Sequence, residues 1–431
     1  MSNLVKEQSF STEVPQERAL LVGIDRGNTE WQLEQSLEEL ARLVETDGAV
    51  VVGMVSQRLK NPNARTFIGT GKVEEVVNAA AAFEADVVVF DDELTPSQQS
   101  NLEKEIKGIK IIDRTALILD IFALHATSRE GTLQVRLAQN QYLLPRLRGM
   151  WSHLAANRMG GGVGSRFGEG ESQLEVDRRM VRKRISHIRG ELKKVAEERA
   201  IQRQARLESG IFKVALAGYT NAGKSSLLNR LTQADVLAYD QLFATLDSVT
   251  RKLLLPRGRE LTLTDTVGFI QKLPTTLVEA FKSTLDEIVN ADLILHVVDA
   301  GAPQRDAQMN AVGEVLEQIG AHDIPTLLVF NKADALDATT TEVLGEKFPG
   351  AVLVSALTGA GMDSLLQRVE QLVDATSAVM RVCIPYAQGA LVQLAHERCS
   401  IISEQYAAEG TVLQLRIPPA FAAKFLPCKI D

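Results

Sequence analysis

The sequence predicts an α/β protein of several domains, with a long antiparallel helical hairpin between two regions built on largely parallel sheets. Three observations carry this reading. Short Val/Ile-rich runs alternate with helical periodicity near the N-terminus. Two seams of four-and-three spacing flank a glycine-rich break in the middle. A second series of buried-strand runs, each ending in a polar turn, fills 212–354. A chain of 431 residues accommodates an N-terminal α/β subdomain at 1–114, a hairpin at 115–210, a second α/β domain at 211–376 and a small C-terminal α/β domain at 377–431.

Composition narrows the class. Hydrophobic residues make up 45% and charged residues 24%, enough apolar side chains for cores and too many for wholesale disorder. No apolar run approaches the length of a spanning helix, and Met1-Ser2-Asn3-Leu4 opens no secretion signal. Cys383, Cys399 and Cys428 lack CxxC spacing, which argues against a metal or disulfide scaffold and fits a reducing cytoplasm. The net charge of −8 hides a division, because residues 115–210 hold 17 Lys and Arg against 10 Asp and Glu. A local basic field can bind phosphates on an otherwise acidic protein.

In the first region Ala19–Ile24, Ala49–Val55, Asp86–Phe90 and Ile109–Ile112 read as strands, and Leu33, Leu37, Leu40 and Val44 mark a helix between them. Thr95-Pro96 opens a further helix, with proline at its first position. Gly69-Thr70-Gly71-Lys72 suggests a phosphate loop but lacks the GxxxxGK[ST] spacing, so it reads as a structural turn.

The hairpin seams are Leu133, Leu137, Asn140, Leu144, Leu147, Trp151 and Leu154, answered by Leu174, Arg178, Val181, Ile185, Ile188, Leu192 and Val195. An arm of roughly 23 residues reaches about 35 Å at 1.5 Å per residue. Pro145 is expected to kink the first arm. Between the arms, 158–170 is rich in glycine and has nothing to pack as a core. Arg158 and Arg166 can reach phosphates and Phe167 can contact bases, so the tip is a candidate RNA contact; the alternative is an inert linker. The run Arg178–Arg184 is either a phosphate-facing helix face or a solvated one.

From Phe212 the signal sharpens. The strand Phe212–Ala217 runs into Gly218-Tyr219-Thr220-Asn221-Ala222-Gly223-Lys224-Ser225, and Ser226 continues into a helix. Strand, glycine loop and helix is the context of a P-loop, in which backbone amides and a helix N-terminus cradle phosphates. Lys224 would neutralise the β- and γ-phosphates, and the Ser225 hydroxyl would ligate Mg²⁺. A strand at Glu260–Thr264 leads to Asp265-Thr266-Val267-Gly268, placing Asp265 for Mg²⁺ and the Gly268 amide for the γ-phosphate. Asn331-Lys332-Ala333-Asp334 follows another strand. The Asp334 carboxylate can accept both hydrogens that guanine offers from N1 and its exocyclic amine, with Asn331 and Lys332 bracing the site. Ser355-Ala356-Leu357 is suited to closing over the base. Between these motifs, Thr245 is the preferred switch threonine for Mg²⁺ and phosphate, ahead of Thr250. Phe269 stands where many such enzymes place a water-orienting glutamine, so slow unaided hydrolysis is expected; Gln271 is a minor candidate for that task. The complete fold class is therefore an N-terminal α/β domain with a long antiparallel helical hairpin, a P-loop GTPase domain and a small α/β C-terminal domain.

These motifs, with Phe243-Ala244-Thr245-Leu246-Asp247, resemble the HflX family of translation-associated GTPases. Ile112-Asp113-Arg114-Thr115, Leu119-Asp120-Ile121-Phe122 and Gln173–Arg179 are similar to that family's own N-terminal half. The resemblance spans about 15–375. It implies a Mg²⁺-dependent GTPase, with GTP as substrate and GDP as product, that binds the large ribosomal subunit and ribosomal RNA through its hairpin. Splitting or rescue of stalled ribosomes follows from it, with ribosome assembly as the nearest alternative and a non-ribosomal interaction switch as a third reading. DNA is not an expected partner, and a monomer is expected. The apolar residue after the DxxG motif is the family's pattern, and Asn221 makes K⁺ a candidate second cofactor. No separate ATP motif accompanies the guanine site. One departure is visible: Gly168-Glu169-Gly170-Glu171 replaces a GPGE-like turn, substituting a negative charge for a rigid proline near the tip.

Overall fold

The computed structural model describes residues 16–27, 31–157, 169–208, 211–232, 242–243, 245–272, 274, 282–375, 378–417 and 419–430. The chain divides into two compact units, Met1–Ile121 with Pro145–Gly164, and Phe122–Leu144 with Ser165–Asp431.

In the first unit, β1 (Arg18–Asp25), α1 (Leu33–Thr46), β2 (Val50–Arg58), α2 (Thr70–Ala82), β3 (Val87–Phe90), α3 (Pro96–Glu105), β4 (Lys110–Asp113) and α4 (Arg114–His125) alternate regularly. The strands form a parallel sheet in the order β2-β1-β3-β4. Every residue of β3 is buried, as an apolar run between helix-covered faces requires. Thr95 and Gln98 close a reciprocal capping box at the start of α3, with Pro96 following the cap. Gly69-Thr70-Gly71-Lys72 opens α2, and the Gly69 amide donates to Gln57 Oε1 at 2.9 Å. The turn is structural there. The Asp113-Arg114 pair also acts on the fold: the fully buried Arg114 guanidinium binds Asp91 at 2.6 Å and Glu39 at 2.7 Å, and Asp113 accepts from the Leu94 and Ala116 amides.

Helices α5 (Arg129–Asn157) and α6 (Glu169–Glu208) supply the two arms of the hairpin. Helix α5 runs as one helix from Arg129 to Asn157 with Pro145 inside it. Helix α6 begins at Glu169, inside the stretch read as the tip. Val181, Ile185 and Ile188 are buried, matching the second seam, whereas on α5 Val135 and Ala138 are buried deepest, next to the seam positions Leu133 and Leu137. Arg158, Arg166 and Phe167 lie outside the described residues.

The second α/β domain comprises β5 (Phe212–Gly218), α7 (Lys224–Thr232), β6 (Val249–Leu254), β7 (Glu260–Asp265), α8 (Lys282–Val289), β8 (Leu293–Asp299), α9 (Arg305–Gln318), β9 (Thr326–Asn331), α10 (Ala338–Lys347), β10 (Val352–Leu353) and α11 (Met362–Ala375). Its sheet runs β10-β9-β8-β5-β7-β6, parallel except for the β6–β7 pair. From β5 the chain crosses to the edge strand β6, turns back inward through β7, and then builds β8, β9 and β10 on the other side. That reversal opens a crevice at the carboxyl ends of β5 and β8, where open sheets of this type bind ligands. The core beneath is continuous, with Val214, Leu216, Leu227, Leu263, Leu295, Val297 and Val329 all buried.

A three-stranded antiparallel sheet ends the chain, with β11 (Ala378–Ile384) and β12 (Ser400–Ala407) flanking β13 (Gly410–Ile417) and helix α12 (Gly389–Arg398) packed on it. Among the described residues, no helix is long and apolar enough to cross a membrane.

Candidate functional site

The crevice at the end of β5 gathers the residues of the Gly218–Ser225 loop. Asn221 and Gly223 adopt left-handed conformations, with φ of 59° and 88°, which turn the loop back before α7. A side chain at Gly223 would place its Cβ 2.2 Å from Asn331 Nδ2, so only glycine lets that amide reach the loop. Asn331 Nδ2 donates to the Ala222 carbonyl at 2.9 Å, and Asn331 Oδ1 accepts from the Ala356 amide at 3.0 Å. One asparagine thus holds both ends of the crevice in register.

The Gly218–Ser225 loop and the segment after β7 are bonded to each other. Thr220 donates its amide to the Phe269 carbonyl at 2.7 Å, and Phe269 donates back to the Gly218 carbonyl at 3.1 Å. A Cβ at Gly268 would lie 2.9 Å from Thr220 Cα and 3.0 Å from Lys224 Nζ. Lys224 is buried, and its Nζ donates to the Gly218 and Tyr219 carbonyls at 3.1 and 2.9 Å. Burial pulls its pKa down to about 8, with the Asp265 charge opposing. Asp265 is itself pushed up by burial, against Lys224 and hydrogen bonds from Ser225 and Thr245.

Three oxygens meet at the start of α7. Ser225 Oγ donates to Asp265 Oδ2 at 2.6 Å and lies 2.8 Å from Thr245 Oγ1. The second Asp265 oxygen, Oδ1, is buried and unpartnered, as is Thr220 Oγ1. Hard hydroxyl and carboxylate oxygens at this spacing, one of them unsatisfied, fit a small divalent cation such as Mg²⁺. Thr250 is elsewhere, on β6, where its hydroxyl pairs with Thr264 at 2.9 Å. Ser226 is exposed on the first turn of α7.

A second cluster lies past β9. Lys332 has a left-handed backbone, φ 61°, and its Nζ binds Asp299 Oδ2 at 2.8 Å. Asp334 is exposed and accepts from the Ser355 hydroxyl at 2.5 Å, and that hydroxyl also accepts the Thr358 amide at 3.1 Å. Asp334, Ser355 and Ala356 therefore share one rim of the crevice.

These features match known proteins in order along the chain. Family models match for a GTP-binding GTPase N-terminal region at 34–123, a GTP-binding GTPase middle region at 125–206 and a 50S ribosome-binding GTPase at 213–332. The GTPase HflX of Caldanaerobacter subterraneus subsp. tengcongensis is 45% identical over 401 residues, covering 93% of this chain and 91% of that protein. The chain belongs to the HflX family of GTPases. The GTPase HflX of Escherichia coli (strain K12) is 43% identical, with 89% of this chain and 90% of that protein covered. A crystal structure of a GTP-binding protein from Sulfolobus solfataricus in complex with GDP aligns over 83% of this chain and 98% of its own, at 25% identity and a TM-score of 0.42. As a member of the HflX family, the protein is a GTP-hydrolysing, ribosome-binding factor.

Sequence reasoning passed over His296 on β8. It is buried, its Nε2 is unpartnered, and burial followed by the Lys224 charge lowers its pKa to about 4. A lone histidine inside an apolar strand carries no motif, so only the fold reveals its setting. Its folded pKa lies below the unfolded value of about 6.5, so between these values the unfolded chain binds the extra proton and stability falls as pH falls. Unfolding free energy should drop by about 2 kcal/mol between pH 7 and pH 5 from this group alone. Chemical denaturation at both pH values should show the change in stability from pH 7 to pH 5 to be less favourable in the wild type than in His296→Gln by about that amount.

Proposed function

We propose that residues 218–225, Asp265, Gly268, Asn331, Asp334 and Ser355 bind Mg²⁺-GTP, and that hydrolysis there governs engagement of the large ribosomal subunit, leading to splitting or rescue of stalled ribosomes. The observation that carries the proposal is the corner formed by Lys224, Ser225, Thr245 and Asp265, tied through Asn331 to the rim bearing Asp334. The P-loop amides and the N-terminus of α7 hold the phosphates. Lys224 exchanges its two carbonyl partners for phosphate oxygens. Ser225, Thr245 and Asp265 would hold Mg²⁺, which when bound neutralises charge on the phosphate oxygens. The Gly268 amide donates to the γ-phosphate, and Asp334 reads guanine N1–H and the exocyclic amine. Tyr219, Thr220, Ala222, Ser226, Lys332 and Ala356 shape the surrounding pocket. Asn221, at the turn of the loop, is the residue for a K⁺ contribution.

Hydrolysis breaks the bond from the β-γ bridging oxygen to the γ-phosphorus as water attacks that phosphorus, giving GDP and phosphate. Phe269 is 1% exposed and belongs to the core, so it does not orient that water. The backbone amide of Gln271 donates to the Tyr219 hydroxyl at 2.7 Å, and the Gln271 side chain is buried. Turnover is accordingly slow alone and faster on the ribosome. Arg179, Arg182, Lys183, Arg184 and Arg189 are exposed along α6, a basic face suited to ribosomal RNA. The proposed protein acts as a monomer in the cytoplasm, with Arg158, Arg166 and Phe167 as its tip contacts.

Deleting 158–170 should leave GTP affinity within about twofold and abolish GTP-dependent splitting of purified ribosomes, followed by sedimentation. Unchanged splitting overturns the role of the tip. Binding confined to immature large subunits, with no effect on complete ribosomes, would make the protein an assembly factor. A complex insensitive to salt and RNase would make it a protein-interaction switch.

A further inference from the structure

The segment that carries Thr245 also reaches the root of the hairpin. Asp247 lies two residues further on, within about 7 Å of chain from Thr245. Its Oδ2 accepts from the Thr127 amide at 3.0 Å, the Thr127 hydroxyl at 2.8 Å and the Ser128 amide at 2.7 Å, and its Oδ1 accepts from the Ser128 hydroxyl. Ser128 immediately precedes α5, and its Oγ accepts the Gly131 amide at 2.9 Å. The carboxylate therefore sits off the helix N-terminus and completes its cap, where a negative charge is favoured. Burial raises the Asp247 pKa, but hydrogen bonds from Ser128 and Thr127 outweigh it and hold the carboxyl below its ordinary range.

The approach is close and built from both sides. A Cβ at Gly131 would lie 2.5 Å from Asp247 Oδ1. Phe243 has a left-handed backbone, φ 59°, which is costly for a bulky residue, and its ring packs edge-on against Phe122 with centroids 4.6 Å apart. Leu242, Phe243 and Leu246 are all buried. Such a conformation persists where neighbouring contacts over-determine it.

We propose that Asp247 is a nucleotide-dependent cap on α5: seating Thr245 against Ser225 and Asp265 places the Asp247 carboxylate on Thr127 and Ser128, and release of Thr245 withdraws it. The GTP state then fixes the first turn of the hairpin, and the coupling is reciprocal. A partner that immobilises the hairpin stabilises the seated switch by the same free energy. This rests on the assignment of Thr245 to the nucleotide.

Amide hydrogen exchange of the full-length protein, with Mg²⁺ and either GDP or a non-hydrolysable GTP analogue, tests it. In the wild type the analogue slows exchange of 242–247 and, by about tenfold, of 129–133. Asp247→Ala removes the slowing at 129–133. Gly131→Ala removes it too, because the added Cβ would lie 2.5 Å from Asp247 Oδ1 and displaces that carboxylate. Asp247→Asn retains part of it, because the asparagine oxygen can still accept from the Thr127 and Ser128 amides. Slowing at 242–247 without slowing at 129–133 overturns the coupling and leaves the assignment of Thr245 standing. No slowing at either segment overturns the assignment, and the coupling with it. A wild-type difference retained in both Asp247→Ala and Gly131→Ala also overturns the coupling.

Discussion

Asp334→Asn is expected to lower GTP affinity by about 10²- to 10⁴-fold and to raise affinity for xanthosine triphosphate. Guanine presents two donors, N1–H and the exocyclic amine, to one carboxylate. Hydrogen bonds to a charged group contribute roughly 1.5–3 kcal/mol each, so losing both charge assistance and one acceptor reaches that range. Xanthine keeps N1–H and replaces the amine by a carbonyl, which matches the acceptor and donor of an asparagine amide. The fold should tolerate the change, because Asp334 is exposed and an asparagine oxygen can still accept from the Ser355 hydroxyl. Titration with both triphosphates decides the matter; unchanged preference for GTP would remove Asp334 from the base site.

Lys224→Ala should reduce GTP hydrolysis by at least about 10²- to 10³-fold, the usual consequence of removing a preorganised donor aimed at developing charge. Its Nζ is already desolvated and held by two carbonyls beside Asp265, so little rearrangement precedes its contact with phosphate. Multiple-turnover assays with and without ribosomes measure the loss. Thermal shift separates binding from folding: the nucleotide-free midpoint reports the fold, and the rise caused by GTP, which depends on affinity, should vanish. Hydrolysis at the wild-type rate would place the catalytic cation elsewhere.

Most of the architecture was legible because it rests on local periodicity. The β5, β8 and β9 strands are predominantly apolar runs leading into turns, and the capping box at Thr95 and Gln98 depends on residues three apart. The path through Pro145 was less legible. Proline opposes helix locally, yet α5 continues through it, with Arg146 one residue further on buried and bonded to the Leu94 carbonyl at 2.5 Å and Gln99 at 3.0 Å. Tertiary contacts of that kind override a local preference.

The candidate site divides in the same way. Spacing alone singles out Gly218, Gly223, Lys224, Ser225, Asp265, Asn331 and Asp334, since a phosphate-binding turn and a guanine-reading carboxylate each need particular residue types at short range. His296 behind Lys224 and the Asp247 cap on Thr127 and Ser128 needed the folded chain. The groups in the latter pair are about 120 residues apart.

By itself, then, the sequence determined the order of elements, the chemistry of the nucleotide motifs and the family, all written in residue types and short spacings. Only the tertiary structure decided which oxygen meets which donor: Asn331 against Ala222, Thr245 against Ser225, and Asp247 on the first turn of α5. The reason is physical. Hydrogen bonds depend on distance and angle to within a few tenths of an ångström, and sequence spacing carries no such information once the chain has turned back on itself.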